Sequence, residues 1–251
     1  MSAWWRRWFG GGEPSPLPER WTGQLRQIPH SAYVPPALWP RYEARVGTFL
    51  RQKRFIACGG LQLEDSQRLA VAALACLLIL REPDGVYPPL RRVLLYPDAF
   101  LVPQTEPDEL GLVDDAPQAR IGESWQRDRV ILSWADVEAA LAGDATNVVA
   151  HEFAHQLDDE TPELSGAPAL PEYARWAEVM QREYQRLRRH RRPPVLDPYG
   201  AESPEEFFGV VCEAFFQQPQ ALLRHHHELY ELLRDYFLLD PASRLLWPDA
   251  A

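Results

Sequence analysis

One segment of this chain places two histidines four residues apart in a stretch that is otherwise apolar. The segment is VVAHEFAHQLDD, residues 148–159. Residues four apart lie on the same face of an α-helix, so the imidazoles of His151 and His155 point in one direction and can reach one ion. Glu152 is turned away from His151 by about 100° around the helix axis and flanks that position. The segment therefore predicts a buried helix that carries a metal site.

The pattern His-Glu-x-x-His suits zinc chemistry. Two neutral imidazole nitrogens bind the ion, and the carboxylate of Glu152 can act as general base towards a water that the metal activates. A buried histidine pair without a metal is the alternative interpretation. It requires a separate buried partner for each imidazole and for the glutamate, and the neighbouring side chains on this segment are apolar. The metal interpretation is therefore favoured.

A catalytic zinc site needs a third protein ligand and leaves its fourth position to water. Some zinc peptidases use a histidine ten residues after the first one, but that position is Thr161 here. The histidine run 225–227 is interpreted as a solvated surface patch. A predicted downstream helix offers two carboxylates instead, Glu206 and Glu213, which are seven residues apart and share one helix face. Spacing leaves both open, and Glu206 could instead serve a capping box with Ser203.

The composition is that of a globular protein with room for a substantial core. The chain has 251 residues, of which 46% are hydrophobic and 25% charged, and its formal net charge is −10. This acidic balance argues against direct nucleic-acid binding, which relies on clustered Lys and Arg. The apolar run 69–80 is shorter than the roughly 20 residues of a membrane span. We expect a buried helix there and no transmembrane segment.

The cysteines and the N-terminal residues indicate in which cellular compartment the protein is expected. Cys58, Cys76 and Cys212 are odd in number and form no CxxC pair, which argues against a disulfide framework. The N-terminal aromatic residues are interrupted by Arg6 and Arg7, so they do not form the apolar stretch of a secretory signal. We therefore expect reduced thiols in a cytoplasmic protein.

The order of the predicted elements indicates an α+β fold. Apolar periodicity predicts helices within 21–90, and residues 93–96 form a short strand. The segment GESWQRDRVILSW (122–134) has the pattern of a β-hairpin whose second arm is Val130–Leu132. From Asp136 onward the chain is predicted to be mostly helical, with Asp144 or Thr146 as cap of the helix that carries the histidine pair.

The same patterns suggest a division of the chain. Residues 1–20 contain a Gly/Pro-rich segment and are predicted to be a flexible arm. Residues 21–90 form a helical N-terminal part, and residues 91–251 form the catalytic part. We expect the last two parts to make one continuous domain.

Several separate motifs occur in the order typical of one protein family. HEFAHQLD is followed by YGAESPEEFF (199–208) and VCEAFF (211–216), and it is preceded by LRQKRF (50–55), VLLYP (93–97), GLV (111–113) and GESWQRDRVILSW. From about residue 40 onward the chain resembles the Mlc titration factor A family of bacterial zinc peptidases. The resemblance implies a zincin-like metallopeptidase fold with a small mixed sheet and with the His-Glu-x-x-His helix in the active site.

The resemblance also implies roles for individual residues. In that family the third zinc ligand is a glutamate seven residues after a tyrosine, which corresponds to Glu206 and Tyr199. One zinc ion per chain would then be held by His151, His155 and Glu206. Glu152 would be the general base, and Tyr199 would donate its phenol hydrogen to the oxyanion of the tetrahedral intermediate.

Three acidic residues surround this implied site in the sequence. Glu213 and Asp158 become candidates for orienting a ligating histidine, and surface placement is the alternative for Asp158. Family members are expected to have a histidine directly after Gly-Leu-Val that reaches the metal in a resting state. Here that residue is Asp114, which can still bind zinc through oxygen but has a shorter side chain. The resemblance therefore does not establish self-inhibition by this loop, and a solvated acidic loop is the favoured interpretation.

These inferences predict a zinc-dependent peptidase that acts on peptides. The resemblance implies an activity that is aminopeptidase-like or directed at short substrates. The alternative is a binding protein that sequesters a transcriptional repressor of sugar uptake, with a structural or regulatory metal site. Glu152 and Tyr199 favour catalysis, because a purely structural site needs neither and has four protein ligands as a rule. A hydrolase of a non-peptide substrate is less favoured, since no Gly-rich phosphate loop is present. The arm 122–124 is the predicted edge strand for an extended peptide.

Overall fold

The computed structural model describes residues 17–81, 85–98, 128–158, 166–168, 170, 173–189 and 194–244. Within them, the α-helices are α1 (Glu19–Gln27), α2 (Trp39–Gln52), α3 (Asp65–Leu77), α4 (Trp134–Ala142), α5 (Val148–Asp158), α6 (Ala174–Arg189), α7 (Pro204–Gln217), α8 (Pro219–His225) and α9 (His227–Phe237). Short 3₁₀ turns lie at Pro29–Tyr33, Pro36–Leu38, Pro198–Ala201 and Pro241–Ser243. The strands are β1 (Arg54–Ala57), β2 (Arg92–Tyr96) and β3 (Arg129–Ser133).

The three strands form one sheet with β2 in the centre, and both pairs run parallel. Arg92 of β2 lies opposite Arg54 of β1 and Arg129 of β3. The prediction of a mixed sheet is wrong for these strands, because β3 pairs with β2 in parallel. Parallel neighbours are joined by a long crossover that leaves no turn signal in the sequence. The predicted first arm of the hairpin, including 122–124, lies outside the described residues.

Strand β1 is a second departure from the expected helical N-terminal part. Helix α2 ends at Gln52, and Lys53 begins an extended segment that pairs with β2. The buried ammonium group of Lys53 donates to the carbonyl oxygens of Tyr87 and Leu90 at 2.6 and 2.9 Å. These contacts join residues more than 30 positions apart, so local sequence periodicity does not predict them.

Helix α5 packs its apolar face into the core of the molecule. Val149, Phe153 and Leu157 are buried on that face. The ring of Phe153 lies 5.6 Å from that of Phe49 and 4.8 Å from that of Tyr87, between centroids. Phe49 and Tyr87, which precede the predicted boundary at residue 90, thus pack against Phe153, which follows it. The division of the chain into three parts stays a prediction.

Two further sequence expectations concern the chain as a whole. No helix in the described part of the chain is both long and apolar enough to cross a membrane. Cys58, Cys76 and Cys212 are all free thiols, and the last two are buried.

Candidate metal centre

Helices α5 and α7 bring together the three residues that the sequence analysis assigned to a metal. His151 and His155 come from α5, and Glu206 comes from the first turn of α7. One nitrogen of each imidazole and one carboxylate oxygen lie within 4.8 Å of one another. The Oε2 atom of Glu206 is 2.9 Å from Nε2 of His151 and 3.6 Å from Nε2 of His155. The carboxylate therefore lies between the two histidines.

These distances fit a four-coordinate zinc ion. Ligand bonds of about 2.0–2.2 Å in a tetrahedral site separate neighbouring ligand atoms by about 3.3–3.6 Å. The distance to His155, 3.6 Å, lies within that range, and the distance to His151, 2.9 Å, is a few tenths of an ångström shorter. Two imidazoles and one carboxylate are also a donor set that catalytic zinc sites use, with the fourth position left to water. The residues present could thus hold a divalent metal ion.

Glu213 approaches the same histidine from the opposite side. Its Oε1 atom is 2.7 Å from Nδ1 of His151, and its Oε2 atom accepts a hydrogen bond of 2.6 Å from the backbone N–H of Asn147. Glu206 and Glu213 therefore face different nitrogens of one imidazole. The spacing of seven residues places both on the face of α7 that meets α5, and this geometry sets Glu213 outside the cluster of three.

Helix α7 comes unusually close to the imidazole of His151 because of Gly209. A Cβ atom on Gly209 would lie 2.7 Å from Cε1 of His151 and 2.8 Å from both ring nitrogens. Any larger residue would displace the ring from its two carboxylate partners. The sequence analysis missed Gly209, although a glycine inside a predicted helix is a signal of close packing.

Asn147 is a second residue that the sequence analysis missed. Its Oδ1 atom accepts from the backbone N–H of Ala150 at 3.0 Å, in the manner of a helix cap. The expected caps, Asp144 and Thr146, instead bond to one another before the helix begins. At the start of α7, Ser203 accepts from the N–H of Glu206 at 3.2 Å, as predicted.

The carboxylates around the site shift its protonation equilibria. Burial raises the pKa of Glu152; the neighbouring His151 imidazolium lowers it, and the negative charges of Glu206 and Glu213 raise it further. Burial opposes protonation of His151, but the hydrogen bond to Glu213 and the surrounding carboxylates outweigh it and raise that pKa. A half-buried carboxyl with a raised pKa beside candidate metal ligands is typical of a general base.

Tyr199 stands at the exposed rim of the cluster. It belongs to the 3₁₀ turn Pro198–Ala201, and 46% of its surface is exposed. Its ring centroid is 6.1 Å from that of His151. Partial burial, the charge of Glu206 and a hydrogen bond with that carboxylate raise the pKa of Tyr199 to about 12. The phenol therefore keeps its proton at neutral pH and can act as a hydrogen-bond donor.

The remaining candidates have mixed outcomes. Asp158 is buried and its Oδ1 atom accepts from the N–H of Ala167 at 2.9 Å, so the surface alternative is wrong. His225 and His227 are exposed as expected, but His226 is buried. Its Nδ1 atom lies 2.7 Å from Glu183, because α8 ends there and turns the ring towards α6. The predicted solvated patch is therefore wrong for His226, and Asp114 lies outside the described residues.

Comparison with known proteins identifies the family of this chain. A family model described as "Glucose-regulated metallo-peptidase M90" matches residues 2–238. An uncharacterized protein from Synechocystis sp. is 42% identical over 237 residues, which are 90% of this chain and 86% of that protein. Proteins named Mlc titration factor A are 29% identical in Klebsiella pneumoniae, over 88% of this chain and 87% of the relative, and in Pectobacterium atrosepticum, over 90% and 88%. The resemblance inferred from the motifs is thereby confirmed, and the chain belongs to the glucose-regulated metallo-peptidase M90 family.

Proposed function

We propose that this protein is a zinc-dependent peptidase with one zinc ion per chain. The observation that carries the proposal is the position of the Glu206 carboxylate within reach of an Nε2 atom on both His151 and His155. The half-buried carboxyl of Glu152 lies beside them on the same helix, and its pKa is raised. Family membership supports a metallopeptidase, and the packing of α5 between the sheet and α7 supports a zincin-like fold.

The proposed roles follow from the chemistry of the side chains. When bound, zinc would acidify a water molecule and polarise the peptide carbonyl. Glu152 accepts the proton of that water and later passes it to the leaving amine, a task that suits a carboxyl with a raised pKa. Tyr199 keeps its proton and donates a hydrogen bond to the oxyanion.

Among the described residues of the site, Tyr199, His155 and Glu206 form its more exposed side. The side chain of His151 is 12% exposed, whereas those of His155 and Glu206 are 26% and 23% exposed, and Tyr199 is the most exposed of the group. A substrate therefore approaches over Tyr199 and His155, while α7 closes the far side. An extended peptide is the proposed substrate, and aminopeptidase-like activity is the form that the resemblance implies.

The decisive experiment compares metal content and turnover in the wild type and Glu152→Gln. We expect the variant to keep zinc, since Glu152 is not a proposed ligand, and to lose peptidase activity by about 10²–10⁴-fold. Glu138→Gln is a matched control, because it removes one exposed carboxylate from the neighbouring helix α4. Full turnover in Glu152→Gln would refute the assignment of the general base.

A second candidate function rests on the names of the relatives. Mlc titration factor A is a name that indicates binding to a protein called Mlc. We propose repressor binding as the alternative, compatible with catalysis on the same chain. Titration with Mlc separates the two: wild-type protein that binds zinc and Mlc but cleaves no member of a peptide library supports the binding function alone. Cleavage without Mlc binding supports the peptidase alone.

A cytoplasmic location is part of the proposal. Its support is the set of three free cysteines, two of which are buried. Thiol labelling of the denatured protein, isolated from cells under alkylating conditions, should modify all three residues.

A further inference from the structure

One carboxylate connects the metal cluster to the start of the helix that carries it. Glu213 uses Oε1 to contact Nδ1 of His151 at 2.7 Å and Oε2 to accept from the N–H of Asn147 at 2.6 Å. Its side chain is 14% exposed, so water competes weakly for either oxygen. The two bonds end on residues of α5 and its cap that are four positions apart, which is one helical turn.

The first bond bears on the tautomer of His151. Carboxylate oxygens accept, and Glu213 faces Nδ1 at 2.7 Å while Glu206 faces Nε2 at 2.9 Å. A hydrogen held on Nδ1 by Glu213 leaves the lone pair of the neutral ring on Nε2, the atom that faces Glu206 and His155. Such outer partners fix the ring orientation of metal-ligating histidines and make the ligand more basic.

The second bond bears on the position of α5 itself. The backbone N–H of Asn147 precedes the helix, and Asn147 in turn accepts from the N–H groups of Ala150 and His151 at 3.0 Å through its side chain and its carbonyl. Glu213 therefore holds the residue that organises the first turn. Displacing Asn147 moves the backbone from which His151 projects.

The next turn of α7 strengthens the same connection. Gln217 donates through Nε2 to the carbonyl oxygens of Ala140 and Asp144, which lie at the end of α4 and in the turn before α5. Its Oε1 atom lies 3.4 Å from Nδ2 of Asn147. The segment that leads into α5 is thus attached to α7 at both Glu213 and Gln217.

We propose that Glu213 is a positioning residue for metal binding. Through its two oxygens it selects the tautomer of His151 and sets the position of the first turn of α5. The metal-binding part of this role rests on the proposed function, whereas the contact to Asn147 does not. The critical property is that both oxygens accept at once, so neither charge alone nor side-chain volume alone can replace it.

Two conservative substitutions test this property. Glu213→Gln keeps the volume but has only one accepting oxygen, so its NH₂ group must face either the N–H of Asn147 or Nδ1 of His151. Glu213→Asp keeps the charge but is one methylene too short to span both partners. We expect each to weaken zinc binding by about 10–100-fold, as loss of an outer partner does in other metal sites. Glu202→Gln, an exposed charge change just before α7, is the matched control and should stay within twofold of wild type.

Zinc affinity is measured by competition with a chromophoric chelator, and amide exchange of Asn147 is followed by NMR in the metal-free proteins. We expect slow exchange of Asn147 in the wild type and at least tenfold faster exchange in Glu213→Asp. Unchanged zinc affinity in Glu213→Gln, with only a lower melting temperature, would show a structural role and overturn the proposal. Wild-type affinity in Glu213→Asp would do the same, by showing that charge suffices. If the wild-type protein has no affinity for zinc, the proposed function is refuted. Amide exchange of Asn147 in the wild type and in Glu213→Asp would still test whether Glu213 holds that residue in place.

Discussion

Replacing Gly209 with alanine should damage the metal site far more than the fold. The new Cβ atom would lie 2.7 Å from Cε1 of His151, whereas carbon atoms in contact are about 3.5–4.0 Å apart. The imidazole must therefore move by at least about 0.8 Å, away from α7 and from both carboxylates. Zinc–ligand distances in real sites vary by only about 0.2 Å. The displaced ring can no longer share an ion with Glu206 in the observed arrangement.

The effect on folding is smaller because two contributions oppose each other. Alanine is favoured over glycine inside a helix by about 0.8–1.0 kcal/mol. Overpacking in a filled interior costs about 1–3 kcal/mol. The metal-free variant should therefore lose at most about 2 kcal/mol in its free energy of unfolding. Gly23 provides a matched control, since it lies within helix α1 and no atom comes within 4 Å of its Cβ position.

The assay is chelator competition for zinc, together with urea unfolding of the metal-free proteins. We expect Gly209→Ala to lose at least 100-fold in zinc affinity and Gly23→Ala to bind zinc like wild type. Gly23→Ala should also raise the free energy of unfolding by about 0.5–1 kcal/mol. Zinc affinity of Gly209→Ala within twofold of wild type would refute the close packing of α7 on His151 as a requirement of the site.

Three further predictions concern other parts of the molecule. Tyr199→Phe should lower kcat by about 10²–10³-fold, with zinc content and KM near wild type, and a change confined to KM would contradict its role at the oxyanion. Zinc at 100 times its Kd should stabilise the wild type by about 2.7 kcal/mol, and thermal unfolding with and without chelator should show no such gain in His155→Ala. The hydrogen bond and charge of His226, with nearby Arg186, lower the pKa of Glu183 although burial opposes this. Its contribution to stability should be complete above the unfolded pKa of about 4.3 and be lost as the pH falls through the folded value, so Glu183→Gln should flatten the acid limb of a stability–pH profile.

Local spacing was sufficient to predict the part of the site that lies on one helix. His151 and His155 are one turn apart, and the helical geometry that aligns them does not depend on the rest of the fold. The cap at Ser203 was predictable for the same reason, because its partner is three residues away. Sheet order was not predictable in this way, since β1, β2 and β3 pair in parallel across long crossovers.

Sequence spacing does not distinguish Glu206 from Glu213 as the third ligand. Both carboxylates lie on one face of α7, and both contact the imidazole of His151. The two carboxylates have different neighbours because of the position along α5 at which α7 crosses it. Glu206 lies beside His155, and Glu213 lies beside the start of α5. The crossing position is fixed by the close approach of Gly209 to the imidazole of His151 and by the hydrogen bonds of Gln217 to Ala140 and Asp144. In the sequence, only the resemblance to a known family distinguished Glu206 from Glu213 as the implied ligand.

The arrangement also explains why so polar a cluster can lie beside a closely packed core. Helix α5 buries Phe153 and Leu157 on one side, so its position is held by apolar contacts that do not involve the metal ligands. On the other side, each nitrogen of His151 has a carboxylate partner. Zinc held at Nε2 would require the 2.9 Å separation between Nε2 of His151 and Oε2 of Glu206 to widen by a few tenths of an ångström, towards the spacing of about 3.3–3.6 Å between ligands of a tetrahedral site. The cluster is thus preorganised by packing on one helix face and by Glu213 on the other, which is the condition under which a metal site binds without refolding its surroundings.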